Sequence, residues 1–265
     1  MGITTLDFIM CFFQYYLNNT ERGGEKKGGK RMEQFNYFKD IVERTGGDIY
    51  IGVVGPVRAG KSTFVKRFME LMVIPNIPDN NDRLRAQDEL PQSGAGRTIM
   101  TAEPKFIPSE AVEITFKDNI KFRVRLVDNV GFSVRGAMGY EDEDGPRMVS
   151  TPWFEEEIPF QEAAEIGTRK VIEEHSSIGL VITTDGSITE IPRENYLQAE
   201  ERVVDELKNI GKPFVIVLNS SRPEDDRAKD LKEILQEKYD VPVLPMNCQE
   251  LSTEDIYTIL EEVLY

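Results

Sequence analysis

The stretch IYIGVVGPVRAGKSTFVKRFMEL, residues 50–72, constrains this chain more than any other. An apolar run ends in a glycine. Then come Gly55-Pro56-Val57-Arg58-Ala59-Gly60-Lys61-Ser62, Thr63 and a pattern of helical period. The order fits the phosphate-loop pattern G-x-x-x-x-G-K-[ST], in its required setting of a strand before and a helix after. Consecutive backbone N–H groups of the loop are expected to face phosphates, backed by the dipole of the following helix. Gly55 and Gly60 permit the positive φ and close approach that such a loop needs. Lys61 is placed for β- and γ-phosphates, and the Ser62 hydroxyl for Mg²⁺.

A second element is RLVDNVG, residues 125–131. Asp128 ends an apolar strand, where a Walker-B carboxylate holds the metal directly or through water. Gly131 follows three residues later and gives D-x-x-G, whose glycine N–H senses a γ-phosphate in GTPase-like proteins. Between the two lies GRTIMTAEPKF, with Thr98 and Thr101 as candidates to complete the metal shell. Thr101 is preferred, because Glu103-Pro104 resumes extended structure just after it. Two positions depart from the GTPase pattern. Small GTPases place a water-orienting Gln after D-x-x-G, and here Phe132 stands there. The guanine reader N-K-x-D becomes Asn219-Ser220-Ser221-Arg222 at the end of the fifth strand. A guanidinium has no acceptor for the guanine N–H groups. The layout is a GTPase one without its guanine reader, which favours ATP, with Asn219 kept at the base edge and PMNC (245–248) as the base-flanking loop.

The rest of the chain sets the fold class. Residues 49–54 read as a buried strand and 61–73 as a helix. Residues 74–98 read as a long loop with a possible helical turn, and 111–116 with 121–128 as an antiparallel hairpin. Residues 129–160 carry glycines, prolines and the acidic clusters EDED and EEE with no sustained period, as a functional loop or insertion does. From residue 161 helices (161–175, 193–210, 225–238, 252–264) alternate with strands (178–184, 213–219, 241–246). That alternation means parallel pairing with right-handed crossovers. The expected fold is α/β, a P-loop NTPase of the GTPase-like (TRAFAC) type. It has a mostly parallel six-stranded sheet, one antiparallel edge strand and helices on both faces.

With 265 residues the chain can bury a substantial core. A formal net charge of −15 repels phosphate backbones and argues against nonspecific nucleic-acid binding. Two cysteines, Cys11 and Cys248, are too few for a disulfide framework and favour a reducing compartment. The single histidine, His175, reads as a helix-end residue and rules out His-rich metal sites. Residues 1–31 differ from the rest. LDFIMCFFQYYL is too short to span a membrane. ERGGEKKGGKR can be encoded by purine-only codons just ahead of Met32, as a translated ribosome-binding site would be. Residues 1–31 are expected to be a disordered or mis-called extension, with residues 32–265 the nucleotide domain. A short amphipathic membrane-surface anchor is the other reading. MEQFNYFKDIVERTGG, residues 32–47, reads as a short amphipathic helix ended by two glycines. The chain stops inside helix-like sequence, as a partial chain would.

From about Met32 to Tyr265 these residues resemble the N-terminal half of the stage IV sporulation protein A family, the spore-coat morphogenetic ATPases of endospore formers. The likeness is carried by ERTGGDIYIGVVGPVRAGKSTF, QDELPQS, TIMTAEPKF, LVDNVG, GYEDEDGPRM, TPWFEE, EAAEIGTRKVI and VITTDGSI. The family is similar to translation-factor-related GTPases but uses ATP with Mg²⁺. The resemblance implies ATP hydrolysis followed by self-assembly into a static shell on the forespore, in the mother-cell cytoplasm. Implied partners are a small curvature-sensing amphipathic membrane peptide and further coat proteins. It also implies that residues 55–62 bind phosphates, that Asp128 is the Walker-B residue and that Thr101 is a sensor. The family's second sensor threonine is Ala102 here, which leaves Thr101 alone. The family's middle and C-terminal domains, which carry membrane targeting, are not in this sequence. Phe132 in place of Gln leads to an expectation of slow turnover, and the acidic 141–157 segment reads as an assembly surface or a solvated loop. Rival readings are a nucleotide-locked scaffold without turnover and a regulatory GTPase.

Overall fold

The computed structural model describes residues 47–91, 103–116, 120–142 and 145–264. Strand β1 (Asp48–Val54) enters the phosphate loop, and helix α1 (Lys61–Phe68) leaves it. The helical path continues as a π turn, Met69–Val73, and a 3₁₀ turn, Ile74–Asn76, so the expected 61–73 helix has the right extent but changes its winding. After α2 (Asn80–Asp88) come β2 (Lys105–Phe116) and β3 (Ile120–Asp128). The 129–160 segment holds two short ladders. They pair β4 (Glu141–Asp142) with β5 (Gly145–Pro146), and β6 (Met148–Val149) with β7 (Ile158–Pro159). Then follow α3 (Phe160–Lys170), β8 (Ile178–Thr184), α4 (Leu197–Asn209), β9 (Phe214–Asn219), α5 (Asp226–Tyr239), β10 (Val243–Met246) and α6 (Thr253–Leu264).

Six strands form one sheet in the order β10-β9-β8-β1-β3-β2. All neighbours are parallel except β2 and β3, which pair antiparallel at the edge. This is the expected architecture, and the pleat explains it. Ile49, Ile51 and Val53 of β1, Leu180 and Ile182 of β8, and Val215 and Val217 of β9 face one side. There they meet Phe64, Val65 and Phe68 of α1 and Ile256, Ile259 and Leu260 of α6. Val54, Val181, Ile216 and Leu218 face the other side, against Val203, Val204 and Leu207 of α4 and Leu235 and Tyr239 of α5. Every residue of β8 and β9 is buried, as in a parallel sheet covered on both faces.

Two expectations are corrected. The 74–98 stretch reads as a long loop with a possible helical turn, yet Asn80–Asp88 is a nine-residue helix. Its apolar content is low and only Ala86 is buried, so no helical stripe marks it in the sequence. What starts it is the Asp79 carboxylate, which accepts from the N–H groups of Asn81 at 2.8 Å and Asp82 at 3.0 Å. The first hairpin strand begins at Lys105, not at residue 111. Its register shifts between Ile107 and Val112, around Pro108, which cannot donate to the ladder, and this interruption hid the first half. The 1–31 extension, residues 32–46 of the expected 32–47 helix, Cys11, Thr98, Thr101 and Ala102 lie outside the described residues. No helix among the described residues is long and apolar enough to cross a membrane.

Candidate nucleotide site

The loop between β1 and α1 lies at the carboxyl end of the central strand, where open parallel sheets bind ligands. Gly55 (φ 139°) and Gly60 (φ 102°) hold backbone conformations that other residues rarely adopt. A Cβ on Gly55 would sit 2.2 Å from the Ile182 carbonyl oxygen, so the loop is pressed against β8. The first-turn N–H groups of Lys61, Ser62 and Thr63 have no i−4 carbonyl within the helix and form the open, partly positive end of α1. Not every residue of the loop offers a free N–H. Pro56 has none, and the Val57 N–H donates to the Phe132 carbonyl at 2.9 Å. The loop is therefore bonded to the segment that follows Asp128.

Lys61 is buried, and its ammonium donates to the carbonyls of Pro56 at 2.6 Å and Gly55 at 3.4 Å. Burial pulls its pKa down from 10.5 to about 8, against the opposing pull of Asp128. Burial likewise pushes the Asp128 carboxyl up, opposed first by Lys61 and then by hydrogen bonds from Ser62 and Asn129. Desolvation moves both groups toward neutrality, as in a site shaped for other charges. The Ser62 hydroxyl donates to Asp128 at 3.1 Å, which brings two of the three expected metal-shell residues together. A hydroxyl and a carboxylate are the hard oxygen donors that Mg²⁺ takes beside phosphate oxygens, so this pair fits the ion.

Gly131 adopts φ 97°, and a Cβ on it would meet the Gly55 carbonyl oxygen at 2.2 Å and the Lys61 ammonium at 2.5 Å. Gly131→Ala is therefore expected to displace Lys61 and to lower nucleoside triphosphate hydrolysis on the order of 10²-fold, as ångström-scale misplacement does. Urea unfolding of the same variant is expected to remain cooperative.

Asn219, expected at the base edge, is buried at the tip of β9. Its carboxamide donates to the Ala59 carbonyl at 3.0 Å and accepts from the Cys248 N–H at 3.0 Å. It therefore ties the phosphate loop to the 245–248 segment. The Ser220 hydroxyl donates to Asp185 at 2.7 Å, and the other oxygen of that carboxylate accepts from the Ser187 hydroxyl at 2.6 Å. Sequence reasoning missed this clamp, whose only sign is the strand end TTDGS. Arg222 is exposed and forms a long ion pair with Asp225 at 4.0 Å, so the guanine-reading position carries a cation. Phe132 is buried in the core, with the Arg202 guanidinium 4.3 Å from its ring centre.

A family model described as stage IV sporulation protein A, ATPase domain, matches residues 32–265. Stage IV sporulation protein A of Bacillus anthracis is 62% identical over 234 residues, covering 88% of this chain and 48% of that protein. The Bacillus subtilis (strain 168) protein of that name is 60% identical over the same shares. The Clostridioides difficile (strain 630) one is 56% identical over 87% of this chain and 47% of its own length. The chain thus spans about half the length of the curated relatives it matches. A crystal structure of an SsGBP variant overlays with a TM-score of 0.43 and 14% identity, over 91% of this chain and 65% of that one, a likeness too distant to carry weight. Identity at this level over nearly all of the chain, together with a domain model that spans the phosphate loop, Asp128 and Asn219, settles the family: the chain belongs to the stage IV sporulation protein A family and carries its ATPase domain.

Proposed function

We propose that this chain binds ATP with Mg²⁺ and hydrolyses it slowly, and that hydrolysis drives self-assembly of the basal layer of the spore coat on the forespore surface. The observation that carries the catalytic half is the meeting of Lys61, Ser62 and Asp128 at the carboxyl ends of β1 and β3. The 55–63 loop takes the phosphates through its free N–H groups, which exclude Pro56, having none, and Val57, bonded to Phe132, together with the Gly131 N–H. Ser62 and Asp128, with Thr101, hold the metal, which when bound supplies charge neutralisation at the phosphate oxygens. The attacking water forms its bond to the γ-phosphorus as the bond to the β-phosphate oxygen breaks. ADP leaves with the bonding pair, and one water proton passes to a γ-phosphoryl oxygen.

ATP is preferred to GTP on two grounds. Arg222 cannot accept from guanine, and the nearby Asp185 carboxylate is already engaged by Ser187 and Ser220. The buried Phe132 carries no group that could orient water, which supports slow turnover suited to a single switch. By family likeness the protein acts in the mother-cell cytoplasm, with itself, a small amphipathic membrane-binding sporulation peptide and other coat proteins as partners.

A nucleotide-locked scaffold is the second reading, and Phe132 is what favours it. Incubation with ATP and Mg²⁺, followed by sedimentation, separates the two. The proposal expects pelleted polymer with ATP and none with a non-hydrolysable analogue. Equal pelleting with both would replace it with the scaffold.

A further inference from the structure

A metal-holding carboxylate has to be aimed, and both oxygens of Asp128 are engaged. One accepts from the Ser62 hydroxyl at 3.1 Å, and the other accepts from the backbone N–H of the next residue, Asn129, at 3.0 Å. The direction of the carboxylate therefore follows the turn at Asn129. That residue is 7% exposed, although asparagine after a strand end ordinarily faces water. Its side chain reaches two other elements. The carboxamide nitrogen donates to the Val53 carbonyl at 2.9 Å, and the carboxamide oxygen accepts from the Thr168 hydroxyl at 3.2 Å. A carbonyl can only accept, so Val53 fixes which way round the carboxamide lies.

Both anchors are themselves placed by the fold. Val53 and Asp128 form the last pair of the β1–β3 ladder, so the Asn129 side chain adds one more bond between the strands just before the phosphate loop. Thr168 is fully buried on α3, and its hydroxyl also lies 2.8 Å from the Ala164 carbonyl one turn back. One hydroxyl hydrogen serves two acceptors, so α3 shares with Asn129 a bond that a helical threonine ordinarily keeps to itself. The residue after Asp128 is thus framed by β1 on one side and α3 on the other. The same turn runs on to Gly131, where a Cβ would meet the Gly55 carbonyl oxygen and the Lys61 ammonium.

We propose that Asn129 is a positioning residue for the metal: its carboxamide, pinned between the Val53 carbonyl and the Thr168 hydroxyl, holds the turn that aims the Asp128 carboxylate at the Ser62 hydroxyl. The proposal rests on the ATPase reading and names what keeps its metal-holding carboxylate in place. Asn129 acts only through Asp128. Partners that orient a metal-holding side chain govern metal affinity as well as the ligands themselves do. A bridge that only stabilised the fold would weaken folding and leave the metal alone.

The test uses the whole 265-residue chain with Asn129→Ala, Thr168→Val and Thr168→Ser. Mn²⁺ stands in for Mg²⁺, and its affinity for the ADP complex is read by electron paramagnetic resonance, which needs no turnover. Asn129→Ala is expected to weaken Mn²⁺ binding about 10–100-fold, and Thr168→Val about tenfold. Thr168→Ser keeps the hydroxyl and is expected to restore the parent affinity. The double variant Asn129→Ala with Thr168→Val is expected to be no worse than Asn129→Ala alone, because both break one bridge. ADP affinity without metal, set by the loop, is expected to stay at the parent value. Parent-like Mn²⁺ affinity in Asn129→Ala, or equal affinities in Thr168→Val and Thr168→Ser, overturns the proposal and leaves the ATPase reading standing. A loss of metal-free ADP affinity as large as the Mn²⁺ loss also overturns it, since the whole site would then be disturbed. If the parent binds ADP with Mn²⁺ but does not hydrolyse ATP, the ATPase reading fails, and the Mn²⁺ comparison still decides the role of Asn129.

Discussion

Lys61→Ala is expected to lower ATP hydrolysis at least 10²–10³-fold, the scale of losing one charged donor in a desolvated site. Lys61 is the one ammonium that the loop encloses, held by the carbonyls of Pro56 and Gly55 and set against Asp128. Weakened nucleotide binding should accompany the loss, because in the proposed site the same group would face the phosphates before and during transfer. Stability should respond differently. Burial brings Lys61 to about 8 from 10.5, so between those values the unfolded chain holds a proton that the folded one has released. The unfolded state then binds more protons, and the contribution of this residue to stability rises with pH across that window. Below about pH 8 the fold carries the full cost of a buried cation. Denaturant unfolding at pH 7 and pH 9.5 is expected to show this rise in the parent and a flatter response in Lys61→Ala. A variant that unfolds early at both pH values would mean that Lys61 is structural.

Glu200→Ala is expected to destabilise the domain by about 3–5 kcal/mol, the cost of leaving an uncompensated buried charge. Glu200 is fully buried on α4. It accepts two bonds from Arg193, at 2.6 and 2.8 Å, one from Thr183 at 2.5 Å and one from the Tyr239 hydroxyl at 3.0 Å. The cluster joins β8, α4 and α5. Arg193 is itself buried, with its Nε already without a partner, so removal of the carboxylate strips the buried guanidinium of its ion-pair partner. A fall in Tm on the order of 10 °C follows for a domain of this size. A double variant, Glu200→Leu with Arg193→Met, is expected to recover most of that loss, since it removes both charges and keeps the volume. Failure of the double variant to recover would assign the effect to packing and not to charge.

These two sites differ in how well the sequence shows them. Lys61, Ser62 and Asp128 are legible because phosphate chemistry fixes their spacing and flanking elements, and β8 and β9 are legible because a doubly covered strand must be apolar throughout. Glu200 and Arg193 are not. PRENYLQAEER reads as a solvated helix start, and only the fold brings Arg193 and Glu200 together under α5. Asn80–Asp88 is hidden for the opposite reason, since a cap and not an apolar stripe starts it. The role of Val57 was hidden because a motif describes residue types and not which N–H is already bonded. Arg58 stands in plain view in the motif, but its left-handed backbone has no sequence signature.

The central claim is that a GTPase-like frame here reads ATP and turns it over. The most direct measurement is hydrolysis of ATP and GTP in parallel with Mg²⁺, with Lys61→Ala as control. Slow, Lys61-dependent release of phosphate from ATP, with GTP cleaved at least about tenfold less well, is the predicted result. Equal or preferred cleavage of GTP would contradict the account, because Arg222 would then stand in a guanine site that it cannot serve.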